Sequence, residues 1–274
     1  MKNSSNADVS NLDRRSFLAR ASMLGGVALL PLAARAGRDR DDHDGDHDDD
    51  DGVTKGDVDI LIAAEIAEAL AVTTYTNIIN LAPFYTRLPA SDQSYLTAAL
   101  QEEMSHYAVE ESVTGKGAPY TSFYYPPGMF SNPQTTLNTL VTLEDAFIAA
   151  YIVGVRNFSS RKLRVTAARI MGIESDHRSL ARVIGADIDP VDGGPLATIT
   201  GAQGVPESIT PANNNGYERT LKWTSISQAV TALTPFVDKT AAASAGFDTS
   251  VSYKFLPFTP ALPSPLGDFI SFGG

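Results

Sequence analysis

Apolar residues recur at helical spacing in four long stretches of this chain, arranged as two pairs with a Pro- and Tyr-rich interval between them. From Asp57 to Leu81 the positions Ile60, Leu61, Ala64, Ala67, Ala71, Ile78 and Ile79 fit helical spacing, and a Pro-containing break over 82–89 ends the stretch. Ser91 is placed to cap a second helix through Tyr95, Leu96, Ala99, Leu100, Met104, Tyr107 and Val109, closed by Gly115 and Gly117. From Ala118 to Pro133 no period holds, and turn signals such as Pro126-Pro127-Gly128 mark a long crossover. The pattern resumes at Thr135 and runs through Leu140, Leu143, Phe147, Ile148 and Tyr151 to about Phe158. After a short break, a fourth stretch spans Arg161 to Ile184 and stops at Gly185. Short hairpin, long crossover and short hairpin predict an all-α four-helix bundle over residues 57–186, with two halves related by approximate twofold symmetry.

After Asp187 the chain is rich in Gly, Pro and Thr to about Asn215. Residues 216–243, with Trp223, Ile226, Val230, Leu233 and Phe236, predict about one further helix, kinked or interrupted at Pro235. The Pro-rich tail from Phe255 to Gly274 reads as extended over the bundle or as an association element. Residues 187–274 are thus expected to form an irregular C-terminal extension.

The candidate chemistry sits on the four periodic stretches. Glu103-Met-Ser-His106 and Glu174-Ser-Asp-His177 each place a carboxylate and an imidazole three residues apart, about 60° apart on a helix and within reach of one ion. The chain has 4 histidines; two lie in an acidic tract, and both of the others have Glu at i−3. A lone histidine on an amphipathic helix reads as an ordinary polar residue; the repetition favours a metal site. Each element also has an upstream partner, Glu68 on the first stretch and Glu144 on the third, and each of these carries a Tyr seven residues on, Tyr75 and Tyr151. Seven residues return a helix nearly to the same face about 10 Å further along, so each tyrosine can bond and orient a carboxylate from another helix, or simply fill the core. Glu65, one turn before Glu68, is an alternative ligand; Glu68 is preferred because its Tyr spacing matches that of Glu144. Glu102, Glu110 and Glu111 read as solvated charges, and Asp145 and Asp176 as either surface or outer support for the site.

Charge and composition narrow the function. The net charge of −11 argues against nucleic acid as a partner. The absence of cysteine removes disulfides, thiolate metal sites, cysteine catalysis and a lipid-anchored N-terminus. Asp13-Arg14-Arg15-Ser16-Phe17-Leu18, followed by an apolar run to Ala34 and Ala34-Arg35-Ala36, reads as a twin-arginine signal over 1–36 with cleavage after Ala36. The run is short for a membrane helix, so no stable span is expected after processing, and the periplasm or the extracellular space is the expected location. Residues 37–56 form an Asp/His-rich linker too polar to fold; His43 and His47 within it can capture cations weakly, or the segment is only a solubilising spacer.

The order Glu68, Glu103-x-x-His106, Glu144, Glu174-x-x-His177 over about 58–185 resembles the ferritin-like superfamily, particularly its exported, desiccation-related branch. The resemblance implies that Glu68, Glu103, His106, Glu144, Glu174 and His177 bind two metal ions, iron or manganese. It implies reaction with dioxygen or peroxide, as a ferroxidase, a peroxidase or a catalase-like protein in protection from oxidative stress. The competing expectation is a non-enzymatic desiccation or envelope protein whose metal is structural or stored. Homo-oligomerisation is compatible with either, and the ligand types alone do not choose iron over manganese.

Overall fold

The computed structural model describes residues 52–196, 198–200, 206–208 and 223–256. The expected signal, the linker up to residue 51, the start of the extra helix before residue 223 and the tail from residue 257 lie outside the described residues.

Four long helices dominate: α1 (Lys55–Leu81), α2 (Ala90–Thr114), α3 (Pro133–Asn157) and α4 (Arg161–Ala186). Their ends follow local chemistry. Thr54 caps α1 in a reciprocal box with Asp57, and the second Asp57 oxygen accepts the Ser159 N–H at 2.6 Å, tying the start of α1 to the α3–α4 turn. Asn132 caps α3 ahead of Pro133, and Ser160 caps α4. Gly115 ends α2 at φ 66°, a left-handed conformation that a Cβ would strain. Ser91 is not a cap: α2 begins at Ala90 behind Pro89, and the Ser91 hydroxyl turns to Asp92. Proline supplies no capping side chain, but its preset φ aims the chain into the first turn.

α1 packs along α2 and α3 along α4, and the two hairpins share one core that includes Leu70, Ile78, Leu96, Leu137, Leu140 and Phe147. α3 is also long and apolar enough to cross a membrane, with a mean hydropathy of 1.3. In this fold α3 is a core helix, with 72% of its most apolar window buried and Glu144 and Asp145 inside the protein.

The crossover carries a strand the periodicity did not show. β1 (Ser122–Tyr125) pairs antiparallel with β4 (Asp248–Lys254), and Phe123 faces Tyr253. β2 (Thr198–Thr200) and β3 (Pro206–Ser208) form a separate antiparallel pair. The extra helix is two: α5 (Ile226–Val237) and α6 (Lys239–Ser244). The break falls at Asp238 rather than at Pro235, because the Asp238 carboxylate caps α6 through the Ala241 N–H while Pro235 stays inside α5. α5 lies on α3 and β1. There Tyr125, Phe130, Phe236 and Tyr253 stack edge to face, joining the extension to the bundle core.

Candidate metal centre

The Glu-x-x-His spacing does in the fold what helical geometry requires of it. Glu103 and His106 project from α2 and Glu174 and His177 from α4, while Glu68 and Glu144 reach in from α1 and α3. All six are buried, the four carboxylates almost completely. His106 Nδ1 lies 3.3 Å from Glu103 Oε2, 3.2 Å from Glu174 Oε1 and 3.6 Å from Glu68 Oε2. His177 Nδ1 lies 2.9 Å from Glu103 Oε1 and 3.2 Å from Glu174 Oε2. The imidazole centroids are 6.4 Å apart.

Two four-residue groups result, each with ligand atoms within 4.8 Å of one another: Glu68, Glu103, His106 and Glu174, and Glu103, Glu144, Glu174 and His177. Glu103 and Glu174 belong to both. Protons alone satisfy this arrangement poorly, since an imidazole Nδ1 carries at most one hydrogen and each faces oxygens of two or more carboxylates. Glu68 Oε2 and Glu144 Oε2 are buried without a hydrogen-bond partner, and Glu103 Oε1 and Glu174 Oε1 are buried with only a shared imidazole nitrogen beside each. Each such acceptor costs about 1–3 kcal/mol. A cation amid hard oxygen and imidazole ligands removes that cost, so the donor set fits a divalent metal.

The electrostatics match a charge-crowded core. Burial drives the Glu68 and Glu144 carboxyls well above the usual carboxylate range, and the charges of Glu103 and Glu174 add to the rise. Burial also works against an ionised Glu103, but His177 and His106 outweigh it and hold that carboxyl below its ordinary value. Burial disfavours charged imidazoles, yet the surrounding carboxylates raise His106 and His177 well above theirs.

The ferritin-like domain family matches residues 56–185. Residues 56–185 are a ferritin-like domain. Comparison with curated proteins finds no match.

Within the ferritin-like domain the two tyrosines act reciprocally. The Tyr75 hydroxyl, from α1, donates to Glu144 of α3 at 2.6 Å, and the Tyr151 hydroxyl, from α3, bonds Glu68 of α1. Each fixes the carboxylate of the opposite hairpin. Glu65 does not join either group: it is buried, accepts a hydrogen bond from Thr114, and is pushed up to about 7 by burial, with the charge of Glu111 adding to the rise against the Thr114 bond.

Three residues depart from, or sharpen, the expectations. Glu110 is buried, not solvated, and lies 2.8 Å from the Tyr151 hydroxyl. The available signal was its position seven residues after Glu103, the same spacing that links each upstream Glu to its Tyr. The corresponding residue after Glu174 is Ala181, so Tyr75 lacks the second carboxylate that Tyr151 has. Glu102 is half exposed, yet its carboxylate meets His177 Nε2 at 2.8 Å, leaving Nδ1 turned to the carboxylate cluster. Asp145 is buried beside Arg178 at 3.6 Å, bracing α3 against α4 next to Glu144 and His177, whereas Asp176 is exposed.

Proposed function

We propose that the ferritin-like domain binds two redox metal ions, iron or manganese, and reacts with dioxygen or peroxide in stress protection. The observation that carries this is the sharing of Glu103 and Glu174 between two otherwise separate ligand groups. Glu68 and His106 would complete one position and Glu144 and His177 the other. When bound, the metal pair would supply the electrons for reducing or disproportionating an O–O bond. Four carboxylate charges balance two divalent cations, which suits a core with almost no exposure. Tyr75 and Tyr151 hold the terminal carboxylates, Glu102 sets the tautomer of His177, and the apolar helices keep bulk water out.

Export by the twin-arginine route, resting on Arg14-Arg15 and the apolar run behind them, belongs to the same reading. That route carries folded proteins, so metal can be loaded before export.

Anaerobic reconstitution with Fe(II) or Mn(II), metal analysis, and assays of oxygen consumption and peroxide decay test the proposal. Close to two ions per chain, with turnover of one oxidant, is expected. Fewer than about one ion per chain removes the enzyme reading. Two ions with indifference to both oxidants leave a structural or storage role. Combined His106→Ala and His177→Ala substitutions are expected to abolish binding, and unchanged stoichiometry refutes the ligand assignment.

A further inference from the structure

A cavity of about 350 Å³ opens at the end of the bundle where α1 and α4 begin, walled by Leu61, Val109, Tyr151, Phe158, Leu163 and Ile170, all buried. An apolar cavity of about 150 Å³ is enough to hold benzene, so a substituted arene fits the space. Tyr151 and Phe158 favour a ring over a flexible chain, because aromatic pairs gain more than their buried area and a ring has fewer rotors to immobilise. Val53, Ser112 and Lys162 line the opening from exposed positions.

Charge at that opening runs against the rest of the molecule. In a chain of net charge −11, the first four residues of α4 are Arg161, Lys162, Leu163 and Arg164, with no acid in the turn. Cations there meet the positive end of the helix dipole, an unfavourable placement that a bound anion relieves. Asp57 is the acid nearest this turn, and its oxygens are engaged by Thr54 and Ser159. Two charged residues line the cavity. Glu110 is only 2% exposed and turns Oε1 to Tyr151, so it gives the interior almost no polar surface, whereas Lys162 is exposed at the opening. An apolar chamber with a cation at its mouth suits an apolar body carrying one negative head.

We propose that this cavity binds a small aromatic monocarboxylate of the arylalkanoate class, its ring in the chamber against Tyr151 and Phe158 and its carboxylate at the mouth on Lys162. None of the six candidate metal ligands lines the cavity, so failure of this proposal leaves the metal proposal standing, and the converse also holds.

Calorimetric titration of the full-length chain at low salt, before and after chelation, tests it with 4-phenylbutyrate, 4-phenylbutylamine and heptanoate. The arylalkanoate is expected to bind about three- to tenfold more tightly than the amine, the yield of one exposed ion pair and of the repulsion it replaces. It should also bind more tightly than heptanoate, a flexible chain of similar hydrophobicity, and equally before and after chelation. Lys162→Glu should reverse the preference between anion and amine; an acid suits the first turn of a helix, so this variant should fold. Val113→Trp, which fills the cavity from a half-buried position on α2, should abolish binding of all three. Circular dichroism checks folding, and should Val113→Trp fail to fold, the Lys162→Glu reversal and the heptanoate comparison decide. Absence of binding, equal affinity for anion and amine, an unchanged preference in Lys162→Glu, unaltered binding in folded Val113→Trp, tighter binding of heptanoate, or loss of binding on chelation, which would place the carboxylate on a metal, overturns the proposal.

Discussion

Metal uptake by this domain should be an exchange of cations for protons, with a stoichiometry that follows from the cluster. Four carboxylates and two imidazoles are neutral overall when they share four protons. Burial holds protons on Glu68 and Glu144, while the neighbouring carboxylates hold them on His106 and His177. Two divalent ions replace the same charge, so about two protons should leave per ion and about four per chain wherever the metal-free cluster keeps its four protons. The apparent affinity per ion should then rise roughly 100-fold per pH unit, about 2.7 kcal/mol. Anaerobic titration of the metal-free protein with Mn(II) in a weakly buffered indicator solution, repeated at two pH values, measures both quantities. Release of less than about one proton per ion, or an affinity indifferent to pH, would show that the carboxylates are already ionised and refute the charge-crowding account.

The metal-free fold should weaken as pH rises. Glu65, Glu68, Glu110 and Glu144 have folded values above their unfolded ones, so their contribution is fully present below about 4.5 and is lost as pH climbs, for Glu65 between 4.5 and about 7. Each retained proton amounts to about 1.4 kcal/mol per pH unit, or roughly 3–6 °C in Tm; melts in chelator at pH 5 and pH 7 check the sign, and a higher Tm at pH 7 contradicts it. Tyr75→Phe and Tyr151→Phe should each lower stability by about 1–3 kcal/mol in urea unfolding and weaken metal binding about 10–100-fold in chelator competition. Unaltered affinity would reduce the tyrosines to core filling. Glu102→Ala, at a half-exposed position, should change stability by no more than about 0.5 kcal/mol yet weaken binding about 10–100-fold by freeing the His177 ring; equal affinity would remove Glu102 from the site.

What the sequence revealed follows the range of each interaction. The helices and their Glu-x-x-His elements are local, written in spacings of three, four and seven, and the fold gathers all six expected ligand residues. Pairing of β1 with β4 joins segments more than a hundred positions apart through short strands that carry no long period, so nothing local announced it. Glu110 sits beside exposed Glu111, and the acidic pair concealed its membership of the ligand face. Glu102 reaches His177 across helices, a contact fixed only once α2 lies against α4. The position of the α5–α6 break depended on a competition between a tolerated proline and a capping aspartate, which Asp238 won.

The reciprocal tyrosines have a consequence for assembly. Each ligand group draws residues from both helical hairpins, and each terminal carboxylate is braced by a tyrosine of the hairpin that does not supply it. Each hairpin alone supplies three of the four residues of one group and lacks the fourth. Full-affinity metal capture is therefore a late event, available only to chains whose halves have docked, and a bound ion would act as a stamp of completed folding, drawing the docked population forward by mass action while leaving half-formed chains unmarked.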